Sequence, residues 1–368
     1  MRALLLAAGL ASTMVLVCSG KLVLKRSPGG HAWHHLARVI GGTNAAQQEY
    51  PFAAFIMIEE GDSVAYCGGT IISREWILTA GHCAVSTGGG NSLVVPRNGT
   101  ANGRSERHGA PRSGSPRAYA TVGAGQITVG VGSIYTSQMK ALKVSQVHVH
   151  KDLNLDYFDN DIALLKLKSK LHYSANVQPI HIDTATVPDG LTVTGIGWGI
   201  TSLRGQTTSA ILQQADMVTG NEGLCSQIRP EFTSNDGDYI CVTTPDGRDT
   251  CSGDSGGPLL QRCNSNPQLT GSTGSGPWVQ LGLTSYGDAL SSPADTVCAY
   301  PDGAGFYTHV AAYIDFITST TGISRKDLVA NCNGDKLDYA GAAAPQMLAA
   351  ALRLLAAIST AACVLLTY

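Results

Sequence analysis

The stretch TCSGDSGGPLL, Thr250 to Leu260, places one serine, Ser255, among glycines and an aspartate, directly before an apolar run. A core strand does not need this composition, because glycine weakens strands and marks bulges or places where another backbone approaches closely. Two interpretations are open. The stretch is either a tight surface turn or a rigid turn that aims Ser255 and its backbone N–H groups at a substrate.

The bulk composition limits the class of protein. A chain of 368 residues can hold one large domain or two coupled ones. Charged residues make up 14% of it, well below the ~25% that is usual in soluble domains. The formal net charge of -2 leaves no footprint for nucleic acid, so we expect no such partner. Ten cysteines indicate an oxidising compartment.

Both ends of the chain are apolar. Residues 1–20 have a basic second residue, an apolar stretch and small residues at the end, which is typical of a cleaved secretory signal peptide; the alternative is a buried N-terminal helix. Residues 347–368 are apolar except for Arg353, and no Lys or Arg follows them. A transmembrane helix here would therefore lack the basic residues that usually flank its cytoplasmic end. Small residues and a short spacer precede this tail, as in the signal for a GPI anchor. A transmembrane tail or a simple C-terminal helix also fits. We therefore expect a secreted, extracellular protein, either free or anchored at the cell surface.

The region from Val39 to Thr320 has short runs rich in Val, Ile, Leu and Thr, split by Gly, Pro, Asn and Asp. Many short strands at such spacing predict an antiparallel β-barrel or sandwich. Only residues 311–320 (AAYIDFITST) look helical. Residues 86–118 are rich in Gly, Ser, Pro and Arg, which predicts a flexible surface insertion. A sequon in it predicts N-glycosylation at Asn98.

Two further stretches supply the groups that a reactive serine needs. A serine hydroxyl is a poor nucleophile unless a base takes its proton and a third group orients that base. TAGHC places His82 after the apolar run WIL, and DNDIALL places Asp161 directly before an apolar strand. Taken singly, each signal is weak, because a histidine beside a cysteine is more often structural and an aspartate before a strand is usually a turn residue.

Together TAGHC, DNDIALL and GDSGGP, in the order His, Asp, Ser, resemble the motifs of the trypsin/chymotrypsin-type serine proteases. The resemblance implies an all-β fold of two six-stranded antiparallel β-barrels, with the active site in the cleft between them and a short C-terminal helix. The protease domain would span residues 39–320, with a linker at 321–346. The implied activity is that of an endopeptidase that forms an acyl-enzyme.

The resemblance assigns a catalytic role to one side chain of each motif. Ser255 would be the nucleophile, His82 the general base and then acid, and Asp161 the residue that fixes the imidazole tautomer. The N–H groups of Gly253 and Ser255 would bind the developing oxyanion, and a side chain at position 253 would crowd that space. The glycines of the opening stretch would then serve the chemistry.

Substrate choice would depend on Asp249, six residues before Ser255, which matches the base of the family's primary specificity pocket. A buried anion there selects Arg or Lys before the scissile bond. Gly287 and Gly305 match the pocket walls and leave room for a long side chain. The resemblance thus implies trypsin-like specificity for protein or peptide substrates.

The segment Ser285, Tyr286 and Gly287 matches the part of the family that pairs with the substrate backbone as an added strand. Tyr286 stands where Trp is more usual. Residues 288–297, before Cys298, form a longer connection than the family's usual one, so the resemblance does not define the more distant subsites, and this run could restrict access to them. A catalytically silent homologue with a blocked cleft, which only binds a partner, is therefore an alternative. A structural or adhesive surface protein is a third.

The run Arg38-Val39-Ile40-Gly41-Gly42 resembles the family's activation site, which makes residues 21–38 an activation propeptide. Asp254 is buried in the family, and a buried carboxylate needs a paired cation. Cleavage after Arg38 would free the α-amino group of Val39 to pair with Asp254. The resemblance therefore implies a zymogen, activated by another protease or by itself.

Cys18 lies in the predicted signal peptide and Cys363 in the apolar tail, which leaves eight cysteines. The resemblance implies the pairs Cys67–Cys83, Cys225–Cys241 and Cys251–Cys298. Parity in a secreted protein then pairs the two that remain, Cys263 and Cys332, a bond that the family does not supply. The stretch 132–143 has no acidic cluster of the kind with which some relatives bind calcium. We predict no metal, no cofactor and a monomeric protein.

Overall fold

The computed structural model describes residues 39–61, 63–86, 95–96, 119–201, 207–263, 276–291 and 298–330. These residues form two closed β-barrels of six strands each, which confirms the predicted fold class. The predicted signal peptide, propeptide, apolar tail and most of the insertion lie outside the described residues. Arg38, Asn98 and Cys332 therefore do as well.

The first barrel contains six strands: β1 (Ala53–Glu60), β2 (Ser63–Ile71), β3 (Trp76–Thr79), β4 (Ile127–Val131), β5 (Lys140–Val149) and β6 (Ala163–Leu167). They pair in the order β1-β4-β5-β6-β3-β2, and antiparallel pairing of β1 with β2 closes the barrel. Successive side chains of a strand point to opposite faces. In β1, Ile56 and Ile58 are therefore buried in the core while Met57, between them, is half-buried.

The second barrel also contains six strands: β7 (Thr192–Gly197), β8 (Gln213–Thr219), β9 (Tyr239–Thr243), β10 (Pro258–Arg262), β11 (Trp278–Ala289) and β12 (Gly303–His309). Their order is β10-β7-β8-β9-β12-β11, and β10 pairs with β11 to close the barrel. Val193, Leu259, Leu281 and Tyr307 meet in its core.

The remaining elements are short. The described helices are α1 (Glu222–Ile228), α2 (Ile314–Thr321) and α3 (Arg325–Leu328), with 3₁₀ turns at His82–Ala84, Ala124–Gln126, Thr136–Gln138 and Val310–Tyr313. Short strands lie at Thr43–Asn44, Val85–Ser86, Val95–Pro96, Ala120–Thr121, His181–Asp183 and Val329–Ala330. Within the described ranges, no helix has the length and hydropathy that crossing a membrane requires.

The C-terminal helix predicted at 311–320 is present as the 3₁₀ turn Val310–Tyr313 followed by α2. Although α2 follows the second barrel in the chain, its buried residues Ile314 and Ile317 pack in one cluster with Trp76 and Leu78 of the first barrel. The helix therefore helps to hold the two barrels together, which is the arrangement on which a site between them depends.

Three disulfides join described cysteines, in the same pairs that the resemblance implied. Cys67–Cys83 links β2 to the turn that contains His82, Cys225–Cys241 links α1 to β9, and Cys251–Cys298 links the segment before Ser255 to the segment before β12. Cys263 is buried and disulfide-bonded. Its pairing with Cys332 stays a prediction.

Candidate active site

His82 lies in the turn that follows β3, at the edge of the first barrel. Asp161 lies directly before the next strand of that sheet, since β6 begins at Ala163 and pairs with β3. This pairing brings the end of one strand next to the beginning of the other. The two motifs, 79 residues apart in the chain, therefore meet.

The carboxylate of Asp161 is fully buried and accepts three hydrogen bonds. Its Oδ1 accepts from the backbone N–H of His82 at 2.8 Å, and its Oδ2 accepts from Nδ1 of His82 at 2.8 Å and from Oγ of Ser285 at 2.5 Å. Burial by itself raises the pKa of Asp161, but the charge and donors of His82, with Ser285, bring the pKa below its ordinary value. Because an ionised carboxylate only accepts, Nδ1 bears the proton and Nε2 is left as the basic nitrogen.

Ser255 lies on the tight turn before β10, at the edge of the second barrel. Gly256 has a φ of +76°, which favours glycine, and a Cβ there would lie 2.2 Å from Oγ1 of Thr79, three residues before His82. The carbonyl of Ser255 accepts from the N–H of Gly68 in β2 at 2.7 Å. The turn therefore packs directly against the first barrel, beside the segment that leads to His82.

The backbone N–H groups of this turn are of two kinds. Those of Asp254, Gly256 and Gly257 donate to carbonyl groups at 2.7–2.9 Å. Those of Gly253 and Ser255 donate to no group of the described part of the chain. Two unused N–H groups on one rigid turn can bind an anionic oxygen.

Asp254 points away from this turn into the second barrel and is fully buried. Its Oδ1 accepts from the N–H of Gly199 at 2.6 Å and its Oδ2 from that of Cys251 at 2.9 Å. A Cβ at Gly197 or Gly199 would lie 2.0 or 2.6 Å from Oδ1, so these two glycines make the space for the carboxylate. Burial raises the pKa of Asp254 to about 7. No Lys, Arg or His of the described segments forms an ion pair with it.

Val39, the first described residue, is fully buried close in sequence to a β-bridge between Ile40 and Asp249. Val39, which the predicted cleavage would make the new N-terminus, is therefore buried next to a residue that pairs with Asp249. The N–H of Asp249 donates to the carbonyl of Ile40 at 3.2 Å.

Asp249 is a second buried carboxylate, with only 3% of its surface exposed. Its Oδ2 accepts from the N–H of Ala299 at 2.9 Å, while its Oδ1 has no hydrogen-bond partner among the described residues. Burial raises the pKa of Asp249 to about 7, although the N–H groups of Ala299 and Thr250 oppose this. Gly287 and Gly305 are directly opposite each other in β11 and β12, and a Cβ at Gly305 would lie 3.3 Å from Oδ1. The oxygen without a described partner therefore faces a position at which glycine leaves out the side chain that would crowd it.

Several contacts of the site were not predicted from the sequence. Ser285 was assigned to the substrate backbone, yet its hydroxyl contacts Asp161. The ring of Tyr286 stacks between those of Phe158 and Phe306, with centroids 5.0 Å away on both sides, and Phe158 also meets the ring of His82 edge-on at 5.8 Å. The position of Phe158 in YFDND, three residues before Asp161, could have indicated that its ring lies near His82.

A buried arginine at the end of α1, Arg229, gave no such signal. Its guanidinium pairs with Asp159 and donates to the hydroxyl of Tyr286.

The described residues include one close group of metal-binding side chains, Cys67, His82 and Cys83. The two cysteines are joined in a disulfide, so they have no thiolate to offer a metal. The group therefore belongs to the histidine turn.

The chain matches the family described as Trypsin over residues 39–121 and 118–317, and it therefore belongs to the trypsin family of serine proteases. It is 30% identical over 287 residues to Trypsin-1 of Astacus astacus, a match that covers 76% of this chain and 98% of that protein. It is 29% identical over 290 residues to Brachyurin of Leptuca pugilator, covering 78% of this chain and all of that protein.

Two further similarities are more distant or partial. Transmembrane protease serine 11C of Mus musculus is 27% identical over 79% of this chain, and the match spans 55% of that protein. The solved structure of neuropsin, a serine protease expressed in the limbic system of mouse brain, matches 76% of this chain and 99% of its own, with a TM-score of 0.53 and 20% identity. That likeness shows the fold alone.

Proposed function

We propose that this trypsin-family protein is a secreted serine endopeptidase, made as a zymogen, that hydrolyses peptide bonds after Arg or Lys. The observation that supports this best is the complete set of hydrogen bonds on Asp161, which holds His82 in one tautomer at the junction where the Ser255 turn meets the first barrel. This is the arrangement that makes a serine hydroxyl reactive.

In the proposed reaction, Nε2 of His82 takes the proton of Ser255 as Oγ attacks the carbonyl carbon of the scissile peptide. The carbonyl oxygen becomes an oxyanion that the unused N–H groups of Gly253 and Ser255 bind. His82 then gives its proton to the leaving amine as the C–N bond breaks. Water attacks the acyl-enzyme by the same route in reverse, and the acid product and Ser255 are released.

The proposed preference for Arg or Lys rests on Asp249. Burial makes its carboxylate costly to ionise, and its Oδ1, which has no hydrogen-bond partner among the described residues, faces Gly305, where no side chain stands between a substrate and the carboxylate. A guanidinium or ammonium in this space would supply the missing counter-charge and hydrogen bond. A neutral substrate side chain would leave the carboxylate unpaired, so it would bind less well.

The proposed activation rests on Asp254 in the same way. The buried carboxylate has only N–H donors among the described residues, and the α-amino group released by cleavage after Arg38 would be a cation of the right kind. Arg38 itself fits the proposed specificity, so the protein or another trypsin-like protease would activate it. Secretion is proposed from residues 1–20, and a GPI anchor at the cell surface from residues 347–368.

Peptide reporters with Arg, Lys, Phe or Ala before the leaving group test this proposal. The full chain would be assayed intact and after cleavage behind Arg38, beside Ser255→Ala and Asp249→Ser. We expect turnover of Arg and Lys reporters only after cleavage, none with Ser255→Ala, and a loss of about 10²–10³-fold with Asp249→Ser, because one partner of a buried charge pair is removed. Absence of turnover by folded, cleaved protein would contradict the proposed activity. Equal turnover of all four reporters would contradict the role of Asp249 alone.

A further inference from the structure

We propose that Arg229 is a positioning residue: it ties the loop before Asp161 to strand β11 and so makes turnover depend on the substrate residues upstream of the scissile bond. This inference rests on the proposed function and concerns the same cleft. Arg229 follows α1, outside the three motifs that define the active site.

The first contacts of Arg229 are with the loop that leads to Asp161 in the first barrel. Nη2 pairs with Oδ1 of Asp159 at 2.6 Å, and Nη1 donates to the carbonyl of Tyr157 at 2.8 Å. The side chain of Arg229 is only 8% exposed. The side chain of its partner Asp159 is 26% exposed, so the pair is shielded from water mainly on the side of Arg229. A partly buried pair made by a planar guanidinium holds its geometry better than a fully exposed pair does.

The same guanidinium also contacts the second barrel. Nη1 donates to the hydroxyl of Tyr286 in β11 at 2.6 Å, and the guanidinium carbon lies 3.9 Å from the ring centroid of Tyr239 in β9. The hydroxyl of Tyr239 in turn donates to Oδ1 of Asp159 at 2.6 Å. One cation therefore joins three segments from both sides of the cleft.

The loop that Arg229 holds has an unfavourable backbone. Phe158 and Asn160 have φ values of +55° and +54°, a region that residues with side chains seldom adopt and that persists only where surrounding contacts enforce it. Phe158 also stacks on Tyr286 and meets His82 edge-on. Contacts that hold this loop therefore set the wall of the cleft beside the catalytic histidine.

The consequence differs for short and long substrates. A single Arg residue would use only the Asp249 pocket and the catalytic groups, whereas a longer peptide would also pair with the segment Ser285–Gly287 and lie against Phe158. Without the guanidinium, Tyr286 and the loop at 157–160 lose their common anchor. We therefore expect the loss to fall on extended substrates.

The test compares Arg229→Met with the wild-type chain, both cleaved after Arg38, on two reporters. One has a single blocked Arg before the leaving group, and the other has four residues that end in Arg. For the variant we expect kcat/KM to fall about tenfold more on the long reporter than on the short one, mainly through KM, since hydrogen bonds to a charged group are lost from the binding wall. Asp159→Asn, which removes the other charge of the pair, should change the ratio in the same direction.

Arg74→Met is the matched control. Arg74 also lies over a tyrosine ring, that of Tyr173 at 4.1 Å, and donates to a carbonyl, that of Leu171 at 3.0 Å, but it is exposed in the turn between β2 and β3. It should leave the ratio of the two reporters unchanged.

Three outcomes would overturn the inference or what it rests on. An equal fall on both reporters would show that Arg229 only supports the fold, and no fall on either reporter in both Arg229→Met and Asp159→Asn would show that the pair positions nothing. If Arg229→Met does not fold, Asp159→Asn and Tyr286→Phe, which removes only the hydroxyl acceptor, decide the question by the same ratio. Failure of the wild-type chain on both reporters would instead contradict the proposed function.

Discussion

Asp161 and the pair Asp249 and Asp254 are all buried carboxylates, yet burial has opposite results in the two regions. Asp161 accepts hydrogen bonds from the side chains of His82 and Ser285 besides a backbone N–H, and its pKa is lowered although burial acts to raise it. Among the described residues, Asp249 and Asp254 receive only backbone N–H groups, and burial raises the pKa of each to about 7. The carboxylate of Asp161 has its counter-charge, His82, within the described part of the chain, whereas no described cation pairs with Asp249 or Asp254.

This difference distinguishes the proposed catalytic groups from the groups proposed to set substrate specificity and activation. A buried carboxylate whose counter-charge is absent is costly, and that cost is recovered when a cation arrives. In the proposed function, a substrate side chain brings the cation to Asp249 and a new N-terminus brings it to Asp254. On this proposal, the groups that would do the chemistry are assembled in advance, while specificity and activation would depend on positive charges from outside.

The largest expected effect comes from replacing Asp161. Asp161→Asn replaces the acceptor by an amide that can donate to Nδ1 of His82, which favours the wrong tautomer and removes the basic Nε2. We expect kcat to fall about 10⁴-fold, a size that comes from this family itself and not from the distances described above. Measurement of kcat and KM on an Arg reporter checks this. A rise in KM with an unchanged kcat would contradict the role of Asp161.

A second prediction concerns Asp249 and Asp254 and the pH dependence of stability. In the intact chain with Ser255→Ala, Asp249 and Asp254 keep protons up to a pH of about 7, whereas the unfolded carboxylates release theirs near 3.8. The folded state binds more protons between these values, so its stability falls as pH rises through this window. Each carboxylate should lower the free energy of unfolding by roughly 2–3 kcal/mol between pH 5 and pH 8.

Urea unfolding at these two pH values measures that difference. Asp254→Asn should reduce it by one carboxylate's share, and cleavage after Arg38 should also reduce it, because the new α-amino group would pair with Asp254. Asp246→Asn, at an exposed position, is the control and should leave the difference in place. An Asp254→Asn variant with the full difference would show that Asp254 is ionised in the intact chain.

The smallest expected effect is that of removing the hydroxyl of Ser285 from the carboxylate of Asp161. Ser285→Ala removes one of the three donors to Asp161 and leaves both contacts with His82. We expect kcat to fall about fivefold, which corresponds to one hydrogen bond of about 1 kcal/mol. KM should change little on a single-residue Arg reporter. A larger fall than that of Asp161→Asn would mean that Ser285 acts elsewhere.

The barrels were predictable because each strand has a local sequence pattern: an apolar run rich in β-branched residues ends at glycine, proline or polar turn residues. The residues that line the candidate active site at His82, Asp161 and Ser255 could also be picked out, since TAGHC, DNDIALL and GDSGGP are each contiguous in the chain. The hydrogen bond from Ser285 to Asp161 was not, because it joins residues 124 positions apart through the packing of β11 against the first barrel. The ion pair of Arg229 with Asp159, 70 positions apart, was hidden for the same reason.

The strands, the cysteines and the types of residue at each position of the site can be read from the amino-acid sequence. How each buried aspartate holds or releases its proton follows from the tertiary structure alone. Asp161, Asp249 and Asp254 have the same side chain, and a carboxylate's proton affinity depends on the water it has lost and on the donors and charges around it. Those surroundings come from segments far apart in the chain, so they exist only after the two barrels have closed and packed together.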